Sequence, residues 1–337
     1  MKILVEISDE LFRRVQEVSR GSSISNFILA SIENQLQLER YQKGDLIDLE
    51  MLSTNIPNIK EKETSLRKDK KKGKIELELL NSNIKFDNIV SVPLRRSIKD
   101  YYIWGQYNKF FPIKFALRYL ALLQTKDKQV NLVEFQNKCA KEASKVKKIL
   151  IMSDEKAQRK WGEAFSAGLP EDEEKSRSRF IHQFIGYNDS QGNSTGALAD
   201  FGFVVIENNQ IALSPSGLIF SQIKNPILDE DPFSPNLFSQ EERQFLIVHI
   251  RTNIPTEWEG IKKVIQWIES GNDTPNSLNA KMATLEPKWT EKMVNTYRTG
   301  ILARMYDLGF ITRKKIGLNA NYQVTDFGKS VGGLNDR

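Results

Sequence analysis

At 337 residues the chain is too long for one small module and suits two or three domains; 39% hydrophobic and 27% charged residues fit a soluble, folded protein. No apolar run approaches the roughly eighteen residues of a membrane span, and the N-terminus has no basic stretch leading into an apolar core, so a cytoplasmic, non-membrane chain is expected. One cysteine (Cys139) and two histidines (His182, His249) exclude an internal disulfide, a multi-cysteine zinc site and a centre built mainly on histidine, while a net charge of +6 fits a polyanionic partner.

The first forty residues read as strand, helix, turn, helix. Residues 2–7 (KILVEI) are β-prone. Ser8 caps a helix over about 9–20, with Asp9 and Glu10 in its first turn and Leu11, Val15 and Val18 on one face. Gly21 and Ser22 break it, Ser25 caps a second helix, and Phe27, Ile28, Ile32 and Leu36 form that helix's apolar face. This order, with its Gly-Ser turn, resembles the ribbon–helix–helix family. The resemblance implies a homodimer through residues 1–40, since forty residues bury little core alone. It also implies a two-stranded ribbon in the major groove of double-stranded DNA. Ile3, Val5 and Ile7 would then face the shared core, and Lys2, Leu4 and Glu6 would face DNA. Lys2 suits guanine or phosphate, Leu4 a thymine methyl and Glu6 the cytosine amino group. The module carries five bases against six acids, so pure dimerisation stays open beside base reading.

Residues 41–97 form a charged linker. Within it, residues 60–74 hold eight Lys/Arg against three acids, which suits a solvated spacer or a flexible phosphate-tracking arm. Two β-prone pieces, residues 75–80 and 84–92, flank Asn81-Ser82-Asn83 as a candidate small hairpin.

From residue 98 the pattern turns helical. Pro112 suits a first helical turn, with Ile113, Leu117, Leu120 and Leu123 following as one face. Asn131-Leu132-Val133-Glu134 reads as a capping box for a helix towards Leu150, and a further helix spans residues 176–187. Ser239-Gln240-Glu241-Glu242 and Thr256-Glu257-Trp258-Glu259 are capping boxes that open helices through Arg251 and Glu269. Trp258 and Trp267 read as packing groups.

The most informative pattern is an internal repeat. Leu198-Ala199-Asp200-Phe201-Gly202-Phe203-Val204, followed by Ile211-Ala212-Leu213-Ser214-Pro215-Ser216-Gly217, matches Met305-Tyr306-Asp307-Leu308-Gly309-Phe310-Ile311 followed by Tyr322-Gln323-Val324-Thr325-Asp326-Phe327-Gly328. The offset is 107 at Asp200 and Asp307 and 111 at Gly217 and Gly328, and the difference of four reads as extra loop in the second copy. Physically this is helix, glycine C-cap, β-hairpin and Ser/Thr-capped helix, twice. It resembles the end of a winged-helix domain.

The fold class expected is therefore mainly α (α+β). It comprises the ribbon–helix–helix, the linker, and two tandem winged helix-turn-helix domains at residues 98–228 and 229–334. The resemblance implies DNA contacts from Arg177 and Arg179 in the first copy. In the second it implies Lys292, Asn295 and Arg298 on a helix from Thr290 to about Asp307. The first wing loop, residues 207–210, is polar, whereas the second, residues 312–321, is basic through Arg313, Lys314 and Lys315. Residues 288–329 hold eight bases against three acids, so the second copy is the stronger expected contact. A protein-contact role for either unit stays open.

No GxxxxGK[ST], HExxH or CxxC motif occurs, and Glu76 and Glu78 lack the order of a nuclease carboxylate strand. No enzyme, cofactor or metal is expected. The expected function is a dimeric sequence-specific DNA-binding protein, used as a transcriptional regulator. The same parts serve a replication initiator of a plasmid or mobile element. They also serve a non-catalytic DNA-recognition subunit with a protein partner in a defence or mobile-element system.

Overall fold

The computed structural model describes residues 84–331 apart from positions 96, 99, 104, 160–162, 189–193 and 317–318. The ribbon–helix–helix expectation, the basic run at 60–74 and the first half of the candidate hairpin lie outside the described residues. The chain falls into two units, residues 1–57 with 93–97 and residues 58–92 with 98–337, and the described elements all belong to the second. That unit is a helix-dominated mixture of helices and small antiparallel sheets. No described helix is long and apolar enough to cross a membrane.

The most apolar stretch builds the centre. α1 (Phe111–Lys126) is buried at every position from Phe111 to Leu122, with Pro112 in its first turn. A helix buried on every side, with Lys114 and Arg118 as its charged exceptions, sits inside the core. β1 (Val130–Asn131) leads into α2 (Leu132–Lys156), whose N-cap side chain, Asn131, accepts from the Glu134 N–H. α3 (Glu174–Phe180) continues into a π turn at Ile181–Ile185, which Gly186 closes at φ +94°. A miniature hairpin, β2 (Tyr187–Asn188) and β3 (Ser194–Thr195), and the single turn α4 (Ala197–Asp200) come next.

β4 (Val204–Glu207) and β5 (Gln210–Leu213) bury Val204, Ile206, Ile211 and Leu213 on one side, the period of two expected of a half-buried strand. Their turn, Asn208-Asn209, has positive φ at both residues, as a two-residue hairpin of this twist requires. β1 pairs with the far side of β5, so the sheet order is β1-β5-β4, all antiparallel. α5 (Pro215–Gln222) follows, capped by Ser214.

A second π turn, Pro226–Glu230, leads to α6 (Gln240–Asn253), α7 (Pro255–Glu269), α8 (Pro275–Ala283), α9 (Glu291–Asp307), β6 (Ile311–Ile316), β7 (Asn319–Val324) and α10 (Asp326–Val331). The chain between α7 and α8 touches β7 much as β1 touches β5: the Tyr322 N–H donates to Asp273 O at 2.8 Å.

The sequence repeat is reproduced bond for bond. Gly202 and Gly309 end their helices at φ +65° and +81°. The Phe203 N–H donates to Leu198 O and the Phe310 N–H to Met305 O, both at 2.9 Å. The Ser214 hydroxyl donates to Gly202 O and accepts from the Gly217 N–H; the Thr325 hydroxyl does the same between Gly309 O and Gly328 N–H. The offset difference of four is strand rather than loop, since β6 and β7 are each two residues longer than β4 and β5.

Several local expectations are corrected. Residues 84–92 hold a 3₁₀ turn at Phe86–Asn88 rather than a strand. The described residues between 100 and 110 are not helical but form a strap whose polar groups serve distant elements. The Thr256 capping box is absent. Asp100 of the strap accepts from the Thr256 N–H and hydroxyl instead, both at 2.8 Å. Glu257 is fully buried; it accepts from the Ile103 N–H at 2.7 Å and pairs with buried Arg304. The first-copy helix expected at 176–187 ends at Ile185, and it is α4 that directly precedes β4.

The two copies of the repeat interlock. Strap residue Lys109 reaches Asp307 of the second copy at 2.9 Å. In the opposite direction, α6 packs Phe245 and His249 against Phe203 and Phe220 of the first, with Phe220 and Phe245 stacked at 5.1 Å. Glu242 of α6 meets Lys114 of α1 at 3.1 Å, and neither side chain has exposed surface. Burial pushes the Lys114 ammonium down to about 8 and the Glu242 carboxyl up, while their mutual attraction opposes both shifts.

Candidate nucleic-acid interface

α9 divides cleanly into two faces. Thr290 caps it by accepting from the Met293 N–H, and Val294, Ile301, Leu302 and Met305 turn inward. Lys292, Asn295, Thr296 and Thr299 lie exposed on the opposite arc. Arg298 borders this arc, half-buried. Its Nη2 donates to Asn295 Oδ1 at 2.6 Å and to Thr299 Oγ1 at 3.4 Å, and its Nε is buried without a hydrogen-bond partner. Burial lowers the guanidinium's pKa below its ordinary value; Arg313 adds to the lowering and Tyr322 opposes it.

Those two residues face each other across the second hairpin, Arg313 on β6 opposite Tyr322 on β7. Arg298 thus lies within electrostatic reach of both Arg313 and Tyr322. The basic run expected in a loop is instead strand: Arg313, Lys314 and Lys315 pair with Tyr322, Asn321 and Ala320. Strand alternation then puts Arg313 on the side of buried Ile311 and Lys314 on the other side with Thr312. Both Arg313 and Lys314 are exposed.

The strap forms the other border of the α9 arc. A Cβ on Gly105 would lie 2.6 Å from Thr296 O, so only glycine lets the strap come this close. The next residue, Gln106, accepts at its carbonyl from Gln183 Nε2 of the α3 π turn at 2.7 Å. Contacts therefore run without a break from α9 through Gly105-Gln106 to α3. On α3, Arg179 and His182 are exposed, the His182 ring standing edge-on to Tyr187 at 4.9 Å, and Arg177 donates to Asp172 at 3.3 Å.

Of the residues proposed from sequence, the structure gathers Lys292, Asn295, Arg298 and Arg313 on one unit and places Arg177 and Arg179 beyond the strap. Lys314 lies on the other face of β6, and Lys2, Leu4 and Glu6 lie outside the described residues. Sequence reasoning missed Gly105, Gln106 and Tyr322. The only available signal was a glycine within an aromatic run without helical period, YYIWGQY at 101–107. Chemically, the arc offers an amide, two hydroxyls and a guanidinium fork, groups that match base edges, flanked by cations that match phosphates.

No family model matches this chain, and searches of the curated proteins and of the solved structures find no match either.

Proposed function

We propose that this chain is a sequence-specific DNA-binding protein whose residues 98–334 form two tandem winged-helix units. It acts as a homodimer through a ribbon–helix–helix at residues 1–40, in transcriptional control. One observation carries the reading: the polar arc of α9, Lys292, Asn295, Thr296 and Thr299, bordered by Arg298 and by Arg313 of the adjoining hairpin. The sheet order β1-β5-β4, with a strand between the first two helices pairing to the hairpin, supports the winged-helix assignment of the first copy. The bond-for-bond repeat extends it to the second.

Selection of bound duplexes from a random pool by the full-length chain tests the reading. An enriched sequence with two-fold related halves is expected, because a symmetric dimer imposes its symmetry on the site. A pool that emerges unenriched, at salt low enough to favour phosphate contacts, would overturn it. Deleting residues 1–40 should turn a sedimenting dimer into a monomer, and a dimer that persists would remove the ribbon–helix–helix from the account.

A further inference from the structure

α2 carries a second basic surface that the reading above leaves unused. Its lysines at 138, 141, 145 and 148 are spaced three, four and three residues apart. At about 100° per residue they fall within an arc of about 80°, and ten residues of helix carry them over about 15 Å. Lys138, Lys141 and Lys148 are exposed and Lys145 is partly so. A single small anion would meet one or two of these groups. A line of cations suits a line of anions such as the phosphates along a nucleic-acid strand.

The stripe is partly occupied by the protein's own acids, since on α2 itself Glu134 pairs with Lys138 and Glu142 with Lys145. Residues 171–174 (EDEE) cross onto α2 from the chain leading into α3, anchored by the Ser144 hydroxyl on Glu171 O and by the Ser176 hydroxyl on the Glu171 N–H. Asp172 meets Lys148 of the stripe at 3.1 Å and Arg177 of α3 at 3.3 Å, while Glu171 pairs with Lys147, to one side of the stripe, at 3.2 Å. Lys148 and the nearby charges of Lys141 and Arg177 hold the exposed Asp172 carboxyl below the usual carboxylate range. Three cations converging on one exposed carboxylate are the surroundings a phosphate group would seek.

We propose that the lysine stripe of α2, with Arg177, is a second nucleic-acid site that takes the phosphodiester backbone, and that Asp172 competes for it from within the chain. The identity of the polyanion rests on the DNA-binding reading; the location does not. Arg177 sits on α3, whose continuing π turn reaches α9 through Gln183, Gln106 and Gly105.

The test is a salt titration of the full-length chain on a random-sequence duplex, read by fluorescence anisotropy. Lys141→Gln with Lys148→Gln should lower the slope of log K against log salt by about 1.8, or roughly twelvefold less change in Kd across a fourfold range of salt. Asp172→Asn should tighten binding several-fold more than Glu259→Gln, which removes the same charge from exposed α7. A double-lysine variant with the parent's slope, while Arg313→Gln lowers it, would overturn the α2 site and leave the DNA reading standing. Equal gains from Asp172→Asn and Glu259→Gln would overturn the internal competitor. If polyglutamate is retained and duplex is not, the stripe serves an acidic protein and the proposal falls together with the DNA reading.

Discussion

Asp200 and Asp307 occupy the same place in the two copies of the repeat, and one short stretch of chain holds both. The Tyr101 and Tyr107 hydroxyls donate to Asp200, while the Lys109 ammonium and the Phe110 N–H donate to Asp307. Burial and the Asp200 charge raise both tyrosine pKa values, so the phenols stay protonated donors at neutral pH. The strap is thereby bonded at both ends to equivalent positions of the two units.

The two ends should differ in strength. Lys109 and Asp307 are only 4% and 2% exposed, so Asp307→Ala leaves a buried ammonium without its counter-charge, at a cost of about 3–5 kcal/mol. Asp200 is half-buried and accepts from neutral hydroxyls, so Asp200→Ala should cost about 1–3 kcal/mol. Urea unfolding of the two variants measures both. Losses under about 1 kcal/mol at both positions would show that the strap does not tie the units together.

The repeat was legible because each of its steps is local: a glycine ends a helix, a hairpin follows, and a hydroxyl caps the next turn. The strap was not, since Lys109 and Asp307 are 198 residues apart and no local pattern joins the repeat's Asp307 to Lys109. Arg313 to Lys315 looked like loop because three adjacent cations are rare in strands, yet pairing with β7 decides their conformation. Likewise the spacing of Ile113, Leu117, Leu120 and Leu123 marked one apolar face of α1, but not that Lys114 and Arg118 would also be buried, on partners over a hundred residues away. Tertiary pairing, invisible to local pattern, made each of these differences.

Gly217 and Gly328 should prove equally intolerant of a side chain. A Cβ would lie 1.9 Å from Phe203 O at the first and 2.2 Å from Phe310 O at the second, and backbone atoms cannot swing aside. Alanine at either position is expected to cost at least about 2 kcal/mol. Gly271→Ala, with φ +87° but open space around it, should cost only about 1 kcal/mol. Thermal unfolding of the three variants gives the ranking, and a Gly217→Ala protein that melts with the parent would contradict the close approach.

His249 should make stability fall in acid. Its Nε2 donates to Phe201 O at 2.7 Å, and complete burial pushes the imidazole down to about 4. Between pH 6.5 and 4 the unfolded chain binds a proton that the folded chain refuses. The stabilisation is therefore whole above about 6.5 and is lost as pH falls towards 4, by up to about 3 kcal/mol. His249→Gln can still offer an N–H to Phe201 O without titrating. The difference between the two stability-versus-pH curves isolates the histidine, and parallel curves would show that it is not held neutral by the fold.

The second hairpin and α9 should separate salt dependence from base preference. Arg313 and Lys314 are neighbours on β6 and so face opposite ways; one DNA surface cannot take both. Arg313, beside Arg298, lies on the side of α9. Arg313→Gln is expected to lower the salt slope by about 0.9 and Lys314→Gln to leave it unchanged. Arg298→Ala should relax base preference by about 1–3 kcal/mol while changing random-duplex affinity less. Arg298→Lys is the sharper probe, because it keeps the charge but loses the planar fork that now holds Asn295. It should behave like the parent in the salt titration and like Arg298→Ala in sequence preference. A lysine variant that retains the parent's preference would assign Arg298 to a phosphate and leave base reading to Asn295 and its neighbours. Equal slope losses from Arg313→Gln and Lys314→Gln would mean that the hairpin meets DNA at its tip rather than by one face.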